Sequence, residues 1–249
     1  MIKKTLRGSI IFFLICSLPA SLWAEDYLSQ ADRLYNQGGL ENYQQAIELY
    51  KKAAASNPED FETNWKYARA LREYGDDAKK LNVDGWKKAC AQYGKLGMQY
   101  GLKAIELAPE NPAGHYYYGL SVGIYSDGVS ILRALNEGLK DKTQSSFEKA
   151  YALDKMFREG GPMLSLGRFW AVLPWPLRNR KKSLAYYREY QAAPYFATNT
   201  EAKLFLAELL IQMGGQKNKT EAKAYLEKAA RSDDTYFSDW ANRLLPKVK

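Results

Sequence analysis

The fold is decided by residues 46–58, which read AIELYKKAAASNP. Ala46, Tyr50 and Ala53 stand at positions i, i+4 and i+7, so they share one face of a helix. The two alanines allow a neighbouring helix to approach closely, and the tyrosine between them fills the remaining space. Pro58 then prevents the helix from continuing. This stretch therefore predicts a helix that packs tightly against a partner helix.

Weaker copies of the same spacing follow along the chain. They are Gly97, Gly101 and Ala104; Thr143, Phe147 and Ala150; Ser183, Tyr187 and Tyr190; and Ala222, Leu226 and Ala229. Stretches suited to be first helices lie between these second helices, at residues 27–36, 61–74, 112–124, 163–173 and 200–213. Recurrence of one internal spacing indicates a repeat protein built from helix pairs.

These helix pairs are similar to tetratricopeptide repeats, whose units stack into a superhelix with a concave groove. The predicted fold class is all-α, with about five helix pairs and a C-terminal capping helix at residues 236–245. The second and third copies each follow the previous copy by more than the roughly 34 residues of a regular repeat. The extra length predicts a lengthened helix at residues 83–107 and an added short helix near residues 129–139.

The N-terminus has the order of features of a secretory signal peptide. Basic residues precede an apolar run at residues 10–18, and small residues lead to Ala24, which predicts cleavage there and export to the periplasm. The alternative is an uncleaved membrane anchor, although the run is shorter than the roughly 20 residues that span a bilayer. The predicted division is a signal peptide at residues 1–24 and a tetratricopeptide-like helical domain at residues 25–249.

Charge and cysteine content restrict the function classes. The formal net charge of +8 includes three basic residues of the predicted signal peptide, so their removal leaves +5. A mildly basic surface suits an anionic partner or a membrane surface, while export and the modest charge argue against nucleic-acid binding. Cys90 is the cysteine that remains after cleavage, which excludes an intramolecular disulfide in the mature chain.

The sequence lacks the common motifs that carry chemistry. It contains no glycine-rich phosphate loop after a strand, no HExxH motif and no paired-cysteine motif. His115 is the only histidine, and without a nearby set of Cys, Asp or Glu it is poor evidence for a metal ligand or a catalytic base. We therefore expect a non-enzymatic protein without a metal or a cofactor.

An ordered set of motifs covers roughly residues 100–232. It includes PAGHYYYG at residues 112–119, GGPMLSLGR at residues 160–168 and LPWP at residues 173–176. In this order the motifs resemble the T-component of tripartite ATP-independent periplasmic (TRAP) transporters. The resemblance implies a periplasmic accessory protein, a homotrimer as in some members, and contact with a substrate-binding protein that delivers small organic acids or hydrophobic ligands.

Six residues near these motifs are candidates for contact with a ligand or a partner: Tyr116, Tyr117, Tyr118, Arg168, Trp170 and Trp175. The first hypothesis is a groove for a protein or peptide partner, and the alternative is a pocket for a small organic anion or a lipid-like molecule. Three consecutive tyrosines cannot all face one way on a helix, and the aromatic residues have a structural alternative as core between stacked pairs. Arg168, in mid-helix among apolar residues, requires a partner.

A basic cluster follows Pro176 and consists of Arg178, Arg180, Lys181 and Lys182. It predicts contact with phospholipid headgroups or with an acidic protein partner. The structural alternative is a solvated loop that leads into a helix, where basic residues are slightly unfavourable for the helix dipole.

Overall fold

The computed structural model describes residues 20–248, which are helical over most of their length. They form α1 (Ala20–Gln37), α2 (Leu40–Ser56), α3 (Phe61–Lys80), α4 (Trp86–Leu107), α5 (Pro112–Gly128), α6 (Ile131–Asn136), α7 (Leu139–Asp154), α8 (Phe157–Val172), α9 (Arg180–Gln191), α10 (Thr200–Met213), α11 (Gln216–Ala229) and α12 (Thr235–Leu244). Short 3₁₀ helices span Pro194–Ala197 and Leu245–Val248. The all-α fold class is confirmed. The predicted signal peptide falls mostly on residues outside this range and stays a prediction.

Successive helices pack as pairs, as the repeat spacing predicts. The pairs are α1 with α2, α3 with α4, α5 with α7, α8 with α9, and α10 with α11, while α12 packs on the last pair. The added short helix predicted near residues 129–139 is α6, which interrupts the third pair. The predicted arrangement of five pairs and a capping helix is therefore confirmed for the described residues.

Local backbone geometry explains why α4 and α8 begin at residues other than those predicted. Helix α4 begins at Trp86 rather than at residue 83, because Gly85 before it has a left-handed backbone with a φ of 73°. Helix α8 begins at Phe157 rather than at residue 163. Its first turn is interrupted by positive φ values at residues 158–160, so the regular helix starts beside Pro162. The periodicity therefore located the regular part of α8 and missed the irregular turn before it.

The repeated small and large positions of the second helices are buried, as their spacing predicts. These buried positions include Ala46, Tyr50 and Ala53 on α2; Gly97, Gly101 and Ala104 on α4; Thr143, Phe147 and Ala150 on α7; Ser183, Tyr187 and Tyr190 on α9; and Ala222, Leu226 and Ala229 on α11. Their burial between neighbouring helices forms the continuous core expected of stacked helix pairs.

Helices α4 and α5 cross with their backbones almost in contact. A Cβ atom on Gly94 would lie 2.4 Å from the backbone nitrogen of Tyr125, and one on Gly128 would lie 2.3 Å from that of Ala91. Both distances are far below ordinary non-bonded contact of about 3.5 Å, so neither position accepts a side chain unless the helices separate. The second and third pairs are therefore fixed closely to each other.

Helix α10 anchors the C-terminal part of the core. Its leucines at positions 204, 206, 209 and 210 are buried against α8, α9, α11 and α12. Glu201, Phe205 and Glu208 are less buried, and their i, i+4, i+7 spacing places them on one stripe. Within residues 20–248, no helix combines the length and the apolar character needed to cross a membrane.

Candidate functional site

The first helices of distant pairs face each other across a hollow. The Nζ atom of Lys80 on α3 lies 3.3 Å from the carboxylate of Glu201 on α10, and 5.6 Å from the ring centroid of Tyr236 on α12. These residues belong to the second pair, the fifth pair and the capping helix. Such a contact requires the superhelix to curve back, with its first helices on the inside. We call this inner surface the hollow.

Helix α3 presents a stripe of aromatic and charged residues toward the hollow. The stripe consists of Trp65, Arg69, Arg72, Asp76 and Lys80, whose spacings of three and four residues keep them on one helical face. The opposite face of α3 carries Tyr67, Leu71 and Ala78, which are buried in the core. Packing on one face thus directs the polar stripe to the inside of the superhelix.

Arg69 is held in a buried cluster at one end of the stripe. Only 6% of the residue is exposed, and its guanidinium lies 3.7 Å from the ring centroid of Tyr35. Its Nη2 atom lies 3.2 Å from the hydroxyl of Tyr50 and 3.4 Å from Oδ1 of Asp32. Burial and the bond to Asp32 raise the pKa of Tyr50, so its hydroxyl stays protonated and donates to the Asp32 carboxylate at 2.6 Å.

Ion pairs continue along the stripe and across the hollow. Asp76 forms ion pairs with Arg72 at 3.3 Å and with Lys80 at 3.0 Å, and Lys80 also pairs with Glu201 at 3.3 Å. Burial alone would raise the pKa of Asp76, but the positive charges of Arg72 and Lys80 hold it below its usual value. Asp76 is therefore ionised at neutral pH and links the two cations.

Acid is expected to weaken the fold through Asp76. Because its pKa is lower when folded than in the unfolded chain, where Asp titrates at about 3.9, its stabilising effect is complete well above that value. The stabilising effect of Asp76 is lost as the pH falls through the pKa that its carboxyl group has in the folded protein. Urea unfolding of the wild type and Asp76→Asn at pH 6, 4 and 3 should show their free energies of unfolding converging toward acid pH. Identical pH dependences for the two proteins would contradict this. The exposed Asp141→Asn is the control, expected to follow the wild type.

Arg168 on α8 has the partner that its position in the sequence requires. Its Nη1 atom donates to the carboxylate of Glu208 on α10 at 2.7 Å. The guanidinium also lies 4.5 Å from the ring centroid of Phe205 and 5.9 Å from that of Trp240. Arg168 thus joins α8, α10 and the capping helix at the far side of the hollow.

The three candidate tyrosines contact different neighbours. Tyr116 is half-buried between Phe147 and Phe157, whereas Tyr117 is buried and stacks on Trp65 of the α3 stripe. Tyr118 packs toward α4, where its backbone and Cβ lie beside Gly101. The three tyrosine side chains therefore point in different directions, as expected for consecutive residues of one helix.

The remaining candidates do not share one pocket with Arg168. Trp170 is buried in a cluster with Leu166 and Phe169, and Lys182 lies 4.4 Å above its ring centroid. Trp175 is 88% exposed in the loop between α8 and α9. The basic residues Arg178, Arg180, Lys181 and Lys182 are exposed in that loop and at the start of α9.

Apart from Arg168, sequence reasoning missed the charged residues of the hollow. One signal was available, because Arg72, Asp76 and Lys80 recur every four residues opposite the apolar face of α3. Nothing in the local sequence pointed to Glu201 or Glu208, since their partners lie on distant helices.

The side chains of His115 and Cys90 contribute to the packing of the fold. The Nε2 atom of His115 lies 2.8 Å from the carbonyl oxygen of Pro109. Cys90 is buried, and burial raises the pKa of its thiol to about 11. Within residues 20–248, no three His, Cys, Asp or Glu side chains are grouped to hold a metal ion. The absence of catalysis and of a cofactor remains a prediction.

Similarity to solved structures agrees with the class that the helix pairs define, a tetratricopeptide-like helical repeat protein. The chain is similar to TTC0263, a thermophilic TPR protein of Thermus thermophilus, with a TM-score of 0.62 and 21% identity over 89% of this chain and 99% of that chain. It is also similar to MamA, with a TM-score of 0.52 and 14% identity over 85% of this chain and 96% of that chain. These likenesses establish the fold.

The chain belongs to the family described as regulator of microtubule dynamics protein 1-3, whose model matches residues 27–169. It is 29% identical over 170 residues to regulator of microtubule dynamics protein 1 of Bos taurus, covering 64% of this chain and 47% of that protein. For the Mus musculus protein of the same name the values are 27% over 168 residues, 66% and 50%. The chain thus spans about half the length of these relatives. The resemblance to TRAP T-components is not shown by these comparisons.

Proposed function

We propose that the chain is a non-enzymatic protein-binding scaffold that holds an extended segment of a partner protein in the hollow. The observation that carries the proposal is the stripe of aromatic and charged side chains on α3, facing similar residues of α8, α10 and α12. Arginine and aromatic residues dominate the binding energy of many protein interfaces.

Most charged groups of the hollow remain accessible for exchange with a partner, although Arg69 is buried. Among the ion-paired residues Arg72, Asp76, Lys80, Glu201, Glu208 and Arg168, side-chain exposure ranges from 15% for Asp76 to 35% for Arg168. The polar groups of a bound peptide can form hydrogen bonds with these charged side chains, while its apolar side chains contact the aromatic rings of the hollow. An open depression of about 320 Å³ lies between α1 and the start of α3, lined partly by Leu28, Asp32 and Lys66.

The names of the two relatives describe a regulatory role that we do not transfer to this chain. Regulation of microtubule dynamics is stated for the bovine and mouse proteins, of which this chain matches about half. For this chain we propose the binding of a protein alone. The accessory role in a TRAP transporter, the periplasmic location and the homotrimer rest on the T-component resemblance and on residues 1–24, and they stay predictions.

A pocket for a small organic anion is the alternative function. Arg168 is the basic candidate for such a pocket, but Glu208 already occupies its guanidinium at 2.7 Å. An anion would have to displace that carboxylate. Native mass spectrometry of the purified protein tests this alternative, because a small molecule that persists through purification would favour it over a protein partner.

Binding of a defined peptide tests the scaffold proposal. Peptides selected from a display library on the immobilised chain are titrated against the wild type and two variants. Arg168→Ala is expected to weaken binding about tenfold or more, as for a central interface arginine. Arg133→Ala is the matched control, because Arg133 also pairs with a glutamate and lies over a tyrosine ring, but on α6. Equal effects of the two variants, or selected peptides that bind outside the hollow, would contradict the proposal.

A further inference from the structure

The loop between α8 and α9 is a compact turn with an exposed indole. Trp175 stands between two prolines, and its side chain packs against little of the protein, with 88% of the residue exposed. The backbone N–H of Asn179 donates to the carbonyl of Trp170 at 3.1 Å, and that of Leu177 donates to the carbonyl of Pro174 at 2.9 Å. The turn is therefore closed by its own hydrogen bonds, and Trp175 is presented outward.

Uncompensated positive charge follows the indole along the turn. Residues 172–182 carry four basic and no acidic side chains, and Arg178 fixes itself to the turn by donating from Nε to the carbonyl of Leu173 at 2.9 Å. Among residues 20–248, no carboxylate lies within ion-pair distance of Arg178, Arg180, Lys181 or Lys182. This differs from the hollow, where each cation of the chain of ion pairs has an acidic partner.

We propose that this loop docks on the surface of an anionic lipid bilayer, with Trp175 at the interface and the four cations over the headgroups. Tryptophan favours the membrane–water interface, and basic residues near an anionic surface add electrostatic attraction. A convex, exposed indole would need a matching pocket in a rigid protein partner, whereas a fluid interface accepts it without one. Firm attachment of a protein to a membrane needs two contributions, an inserted apolar group and electrostatic attraction to the lipid headgroups. Trp175 supplies the first and the four basic residues supply the second.

This surface is separate from the proposed protein-binding hollow. The loop also lies beyond residues 27–169, the part of the chain that the family model matches. Failure of membrane docking would leave the scaffold proposal untouched.

A local reporter tests the docking independently of the N-terminal apolar run. The full chain with Trp175→Cys and Cys16→Ser is labelled at position 175 with an environment-sensitive fluorophore (NBD). Vesicles of phosphatidylcholine with phosphatidylserine are added, with pure phosphatidylcholine vesicles in parallel. We expect a blue shift and a several-fold rise in emission with the anionic vesicles, reversed by high salt. A label at Leu132→Cys, an apolar position that is 75% exposed on α6, should not respond.

A second experiment reverses the charge of two basic residues in the loop. Arg180→Glu with Lys181→Glu should raise the lipid concentration for half-maximal response at least about 25-fold, since each basic residue near the surface contributes roughly fivefold. Lys87→Glu with Lys88→Glu makes the same charge change in the first turn of α4 and should have little effect. No response at position 175, an equal response at position 132, or a response to poly-glutamate but not to vesicles would overturn the proposal. The last outcome would assign the loop to an acidic protein.

Discussion

Gly94→Ala is expected to destabilise the protein by about 2–3 kcal/mol, although alanine is the better helix former by about 1 kcal/mol. The added methyl group would lie 2.4 Å from the backbone nitrogen of Tyr125 and 2.7 Å from its Cα. Backbone atoms cannot rotate away as a side chain can, so α4 and α5 must separate. Urea unfolding followed by circular dichroism measures the change.

Gly123→Ala is the control for this prediction. Gly123 also lies in α5, and a Cβ atom there would meet nothing within 4 Å. The same added methyl group should therefore stabilise the protein by about 0.5–1 kcal/mol through helix propensity. If both substitutions stabilise the protein, helices α4 and α5 do not cross at Gly94.

Arg69→Ala is expected to cost about 2–4 kcal/mol, because it empties a buried site in which the side chain packs on Tyr35 and pairs with Asp32. The substitution removes the guanidinium from the face of Tyr35 and leaves the Asp32 carboxylate without one of its cations. Chemical unfolding checks the value, and Arg33→Ala on the exposed side of α1 should change stability by less than about 0.5 kcal/mol.

A double substitution separates charge from packing in this cluster. Arg69→Met with Asp32→Asn removes both charges and keeps most of the volume, so it should cost less than Arg69→Ala alone. If Arg69→Ala is as mild as Arg33→Ala, Arg69 is solvated rather than held between the aromatic rings and Asp32.

Local periodicity was sufficient to predict the helix pairs and a concave groove, but not the contacts that cross the hollow. The face of Ala46, Tyr50 and Ala53 is set by i, i+4, i+7 spacing, which one short stretch of sequence contains. The pair of Lys80 and Glu201 depends on how far the superhelix curves, which is a sum of small rotations between successive pairs. No stretch of sequence encodes that sum, so the contact became visible only in three dimensions.

For the candidate site too, local sequence identified individual residues but not their contacts with distant helices. Arg168 was identified because a charged residue among apolar neighbours requires a partner, but its partner Glu208 stands on another pair. Trp170 and Trp175 are close in sequence and have opposite environments, since one lies inside a helix and the other in the turn after it. Residue type alone could not separate a core tryptophan from an exposed one.

The curvature that brings α3 to α10 is tested most directly by zero-length coupling with a carbodiimide, which joins a lysine to a carboxylate only when the two touch. Mass spectrometry of the digested monomer should recover a cross-link between Lys80 and Glu201, lost in Lys80→Arg. Lys79 and Asp127, which are 2.7 Å apart between α3 and α5, provide the internal reference. Recovery of the reference cross-link, with Lys80 coupled to Asp76 alone or to nothing, would contradict a hollow lined by the first helices.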